Sequence, residues 1–170
     1  MITTRSHLPD LTTIMRTLIS LLAGSLLLLV GCRTEERPLD IADRLLDRGI
    51  ESYQDQDYRQ AEMQLTQAVP MYADQHQLAR LAKTYAYLGR VYLATGQFSL
   101  ALENIESALA QCRRDNYFRG EAEYTWLLGD AYMELSEFKD AVEHYKSSRA
   151  LSAAFDDKAS VALVESKLTV

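Results

Sequence analysis

Catalytic and ligand-binding residue types are sparse in this chain, and what is missing excludes several classes of function. Its 3 histidines, His7, His76 and His144, fall in different segments, and none stands at a metal-ligand spacing from another His or Cys. No Gly-rich phosphate loop, no Gly-x-Ser-x-Gly elbow and no cysteine with a neighbouring histidine occurs. Glu103 and Glu106, one turn apart, read as solvated carboxylates on a helix surface. The sequence therefore calls for no enzyme, no metal and no cofactor. Basic runs are also missing: net charge is -6 with both signs interspersed, so there is no electrostatic footprint for nucleic acid. Glycine and proline are scarce, 7 and 3 in 170 residues, while 48% of the chain is apolar, which favours a helical fold over a sandwich or a disordered chain. The 2 cysteines, Cys32 and Cys112, lie far apart in unlike surroundings and are read separately rather than as a disulfide.

The one long apolar run, Leu18 to Val30, has thirteen residues, below the roughly 20 that span a bilayer and the right size for the core of a signal segment. Arg16 precedes it, and Leu29-Val30-Gly31-Cys32 closes it. That ending resembles the lipobox of bacterial lipoproteins. The resemblance implies cleavage before Cys32, acylation of its thiol, and residues 1-31 as a signal peptide. Residues 1 to 14, with Pro9 and Asp10 ahead of the basic residue, fit no signal, so Met15 is a candidate start. Two or more acyl chains hold a protein stably at a membrane. The expected location is a bacterial membrane, the outer one favoured because Arg33 rather than Asp follows the cysteine, with the chain facing the periplasm or the cell surface. Residues 32-38, polar and ending on Pro38, read as a tether.

Beyond the tether the sequence repeats. An offset of forty aligns Gly49, Gly89 and Gly129; Tyr58, Phe98 and Phe138; Ala61, Ala101 and Ala141; and Ala42, Ala82, Ala122 and Ala162. Tyr92 falls on Tyr132. In the middle copy Leu88-Gly89, Tyr92, Gly96, Phe98, Ala101, Ile105 and Ala108 stand at the spacing of the tetratricopeptide repeat, which this stretch resembles. The small residues allow close helix approach, while Tyr92 and Phe98 fill the gap between helices. The resemblance implies an all-α fold: a right-handed α-α superhelical solenoid of three tetratricopeptide-type helix pairs plus a C-terminal capping helix. Its domain covers 39-170, with repeats near 42-81, 82-121 and 122-161 and the capping helix at 157-170; a longer array continuing past that segment is the other reading. The period exceeds the family's usual 34 or so residues, so longer helices are expected.

Local departures carry their own expectations. Pro70 should kink or end the second helix of repeat one. Repeat one has Arg48 and Ser52 where repeats two and three have leucine and tyrosine. Ser136 replaces Gly96 in repeat three, acceptable if that turn needs no positive φ. Cys112 reads as a half-buried small hydrophobe.

Proteins of this family hold peptides on the concave face, lined by the first helix of each pair. Carried over by position, that face here has Asp43, Leu46 and Ile50 in repeat one, Lys83, Tyr87 and Arg90 in repeat two, and Glu123, Trp126, Asp130 and Met133 in repeat three. Lys83 and Arg90, on one helical face, suit a carboxylate. The family's carboxylate clamp places Asn where Arg90 stands, so chaperone-tail recognition does not follow. Tyr87 and Trp126 have a second reading, as packing between first helices. The expected partner is another protein or peptide, with the membrane reached through the lipid. The expected role is a scaffold or assembly factor; a sensory module of a signalling system and a pilotin-like accessory of a secretion or pilus machine are the alternatives.

Overall fold

A computed structural model of the protein describes residues 12, 15, 37-154, 161, 162 and 165-167. The chain divides into two units, Met1–Glu36, in which Thr12 and Met15 are helical, and Arg37–Val170. The lipobox and Cys32 lie outside the described residues. Among the described residues the second unit has six long helices, α1 (Pro38–Gln54), α2 (Tyr58–Asp74), α3 (Leu78–Ala94), α4 (Phe98–Asp115), α5 (Phe118–Glu134) and α6 (Phe138–Ala154), and residues 161, 162 and 165-167 are also helical. Each packs most extensively against its partner in the pairs α1/α2, α3/α4 and α5/α6. The first helices α1, α3 and α5 also touch one another across pairs, with no comparable contact joining α2, α4 and α6. The first helices therefore line the inner face of the array.

The forty-residue period becomes a repeated lock between helices. Gly49, Gly89 and Gly129 form notches that receive Leu65, Ile105 and Tyr145, themselves forty apart. A Cβ on these glycines would lie 2.7, 2.6 and 2.6 Å from the inserted side chain, closer than any relaxed contact. Ala61, Ala101 and Ala141 are fully buried beside the notches, and Ala42, Ala82 and Ala122 are buried on the first helices. Ala162, the fourth in that register, is exposed. Where Ala68 and Ala108 occur in earlier pairs the third has Ser148, whose buried hydroxyl donates to the Ala122 carbonyl at 2.7 Å. That bond satisfies a group whose unpaired burial is costly.

All five connections use one turn. Gln56, His76, Gly96, Asn116 and Ser136 have φ of 62, 52, 73, 53 and 60°. The amide after each donates to the carbonyl five residues earlier, as in Asp57 to Ser52 and Glu137 to Tyr132 at 2.8 and 2.9 Å. This is a Schellman-type end, which satisfies the last helical carbonyls through one left-handed residue. Ser136 thus occupies the strained conformation that its substitution for glycine was expected to avoid. Ser136→Gly is expected to raise stability by about 0.5 to 1 kcal/mol, measured as a denaturation midpoint, because an L side chain pays for φ > 0 and glycine does not.

Two further positions depart in part from the expected pattern. Of the two outcomes expected at Pro70, helix α2 does not end there but continues to Asp74. Pro70 is exposed, so the carbonyl one turn earlier that loses its donor faces water. Tyr92 is buried as expected of a gap-filling residue but Phe98 is only half-buried, and of its counterparts Tyr58 packs on the first core cluster while Phe138 is 59% exposed. Within repeat one the departures are accommodated: Arg48 is exposed, and the Ser52 hydroxyl donates to Gln64 at 3.1 Å.

Candidate binding face

The inner surface of α3 and α5 encloses a cleft of about 480 Å³. Four residues singled out from the sequence, Lys83, Tyr87, Arg90 and Glu123, line it together with Arg80, Tyr117 and Tyr124. Helical periodicity explains the stripe: positions 80, 83, 87 and 90 fall on one side of α3. Arg90 Nη2 lies 3.2 Å from Glu123 Oε1, linking α3 to α5, and its guanidinium is 5.8 Å from the Tyr87 ring centroid. Arg80 Nε is 3.4 Å from Asp43 Oδ1. Lys83 is exposed and has no ion pair among the described residues. One cation of the three is thus uncommitted, and tyrosines flank it. Sequence reasoning missed Arg80, Tyr117 and Tyr124. Extending the stripe of Lys83 back by three residues finds Arg80; no local signal finds the tyrosines, which arrive from α5 and its preceding turn.

The remaining candidates divide. Leu46 is 5% exposed and belongs to the core, so it packs rather than presents a surface, and half-buried Ile50 packs against the same cluster. Asp43 accepts the Tyr72 hydroxyl at 2.7 Å and Asp130 accepts that of Tyr145 at 2.6 Å, so both carboxylates tie a first helix to a second. Asp130 and Met133 line a second cleft of about 490 Å³ with Tyr53, Glu134, Lys167 and, again, Arg90. Trp126 packs partly on the Ala141 and Tyr145 cluster. Its indole N–H is buried and has no acceptor among the described residues. Among the described residues no group of His, Cys, Asp and Glu could hold a metal ion, and no helix is long and apolar enough to cross a membrane.

Cys112 is fully buried, not half-buried, with its sulfur against the backbone of Gly120. Burial pushes its thiol from 9.0 up to about 12 and the Tyr92 hydroxyl from 10.0 up to about 12, the latter reinforced by the hydrogen bond to Glu62. Burial and bonded carboxylates raise Tyr72 and Tyr145 as well, and burial raises Tyr124. A raised folded value means the native state holds its proton when the unfolded chain has lost it. The associated stability is complete below about pH 9 and is lost as pH climbs toward 12. A melting temperature that falls steadily between pH 9 and 11, at constant ionic strength, is the expected result; a flat profile would contradict the burial described.

Comparisons agree with this geometry. Residues 80–154 match the tetratricopeptide repeat family profile. No curated protein matches the sequence. Among solved structures, the tetratricopeptide domain of Arabidopsis FLU superposes with a TM-score of 0.64 at 19% identity, covering 67% of this chain and 96% of that one. The N-terminal domain of stress-induced protein-1 from C. elegans gives 0.61 at 19% identity, over 78% and 98% of the two chains. A putative kinesin light chain from Podospora anserina, with nearly identical tetratricopeptide-like repeats, gives 0.61 at 20% identity, over 76% and 67%. Residues 37-154 fold as a tetratricopeptide-type solenoid of three helix pairs, and the sequence pattern of that repeat family is carried by residues 80–154.

Proposed function

We propose that the protein is a membrane-anchored interaction scaffold that holds a segment of another protein on the face lined by α1, α3 and α5, and that it performs no reaction of its own. The observation that carries this reading is the cleft between α3 and α5, where exposed, unpaired Lys83 stands among tyrosines and two arginines already engaged with carboxylates. Such a site offers a cation and aromatic surface to an acidic side chain of a partner. Anchoring rests on the lipobox-like ending at Cys32, which favours a bacterial outer membrane.

The test is a crosslinked pull-down from native membranes, run beside a Lys83→Glu, Arg90→Glu, Trp126→Ala variant shown by circular dichroism to be folded. One protein lost only from the variant would place binding in the groove, and its identity assigns the pathway. Retention of every partner would move binding to another surface and end this reading. Lys83→Glu alone is expected to weaken capture about tenfold or more. For the anchor, Cys32→Ser should release the protein into the soluble fraction; continued co-sedimentation at high salt would refute lipid attachment at that residue.

A further inference from the structure

The α5 end of the inner face already has an occupant. Lys167, from the C-terminal segment, places Nζ 3.3 Å from Asp130 Oδ1 and 5.9 Å from the centroid of the Trp126 ring. Two residues earlier, Glu165 comes within 4.0 Å of Arg149 on α6. A carboxylate beside an aromatic face is the chemistry that recognises an ammonium group. The contact is shallow, with the Lys167 side chain 46% exposed and that of Asp130 24%, and ion pairs of this kind bind weakly. A lysine of another chain, offering the same ammonium group together with further contacts of its own, would compete with Lys167 for this seat.

We propose that Lys167 is a built-in stand-in for a lysine of the partner: the C-terminal segment occupies the Trp126–Asp130 seat in the free protein, and a lysine-bearing partner segment displaces it. This deepens the scaffold reading and rests on it. Because Arg90 lines both clefts, the two sites adjoin. The favoured segment then carries a carboxylate side chain for the α3 cleft and a lysine for the α5 seat. A segment of reversed polarity would set its lysine against Lys83 and its carboxylate against Asp130 and Glu134, and is rejected.

The experiment uses the full chain, as wild type and as Lys167→Glu, titrated with a synthetic peptide of residues 161-170, VALVESKLTV, and with the same peptide carrying Glu in place of its Lys. Trp126 is the sole tryptophan, so its fluorescence reports this seat alone. In the wild type the tethered tail competes at a high effective concentration, so the Lys167→Glu chain should bind the lysine peptide about tenfold or more tightly, and the Glu peptide should bind neither chain. Equal affinity in both chains, or no tryptophan response in either, would overturn the proposal. A drop in melting temperature in Lys167→Glu with no gain in peptide affinity would identify the segment as a structural cap only, which also overturns it. Lys167→Ala, which adds no repulsion, should show the same gain to a smaller degree. The pull-down reads groove binding by its Lys83 and Arg90 arm, so failure of the tail proposal leaves that result standing and recognisable.

Discussion

Tyr145→Ala should destabilise the protein by about 3 to 5 kcal/mol, the range for truncating a buried aromatic. The residue is 2% exposed, its ring fills the notch at Gly129, and its hydroxyl donates to Asp130 at 2.6 Å. Truncation would leave a ring-sized void between α5 and α6, and α6 has few other buried anchors: Ala141, Ser148 and Ser152 are small. Tyr145→Phe separates the contributions. It keeps the ring and removes the bond to a carboxylate, for an expected loss of about 1.5 to 3 kcal/mol. Denaturant unfolding monitored by circular dichroism measures both. A loss below about 1 kcal/mol for the alanine variant would mean that α6 is not held through this notch.

The second large effect is overpacking. Ala101 is fully buried on α4, and its carbonyl oxygen lies 3.4 Å from where a Cβ on Gly89 would stand. Ala101→Leu adds three carbons to a seam with no free volume, and about 1 to 3 kcal/mol should be lost. Gly89→Ala probes the same seam from α3: its Cβ would meet Ile105 Cγ1 at 2.6 Å, a collision that outweighs the roughly 1 kcal/mol that alanine gains over glycine in a helix. If both variants melt like the wild type, the pairing of α3 with α4 is wrong.

The overpacking prediction concerns residues whose roles the repeat made readable, whereas the role of Tyr145 came from the structure. Gly89 and Ala101 recur at a fixed offset, and in a solenoid each copy meets the same neighbours, so one sequence position has one packing role throughout. Cys112 stands forty residues from Tyr72 and from Ser152, and all three are buried, but their unlike side chains hide that register in the sequence. The candidate face was less legible. Lys83, Tyr87, Arg90 and Glu123 share a cleft because α3 and α5 lie side by side, whereas Leu46, one turn from Asp43 and Ile50, turns into the core. A helical wheel separates the faces of a helix only to within about one residue position, and Leu46 falls at that margin.

Period, helix content and the sites of close approach were determined by the sequence alone. They follow from local helix preference and from contacts between units adjacent in the chain, both of which leave a periodic trace. Tertiary structure decided the rest: that Ser136 must adopt a left-handed turn, that Pro70 faces water, that Phe138 is left exposed, and that Arg90 meets Glu123 while Lys167 meets Asp130. Each of these depends on the distance between groups remote in sequence or on which side of a helix meets solvent. A difference of a few ångströms decides whether two charges pair, and no single residue or spacing encodes it.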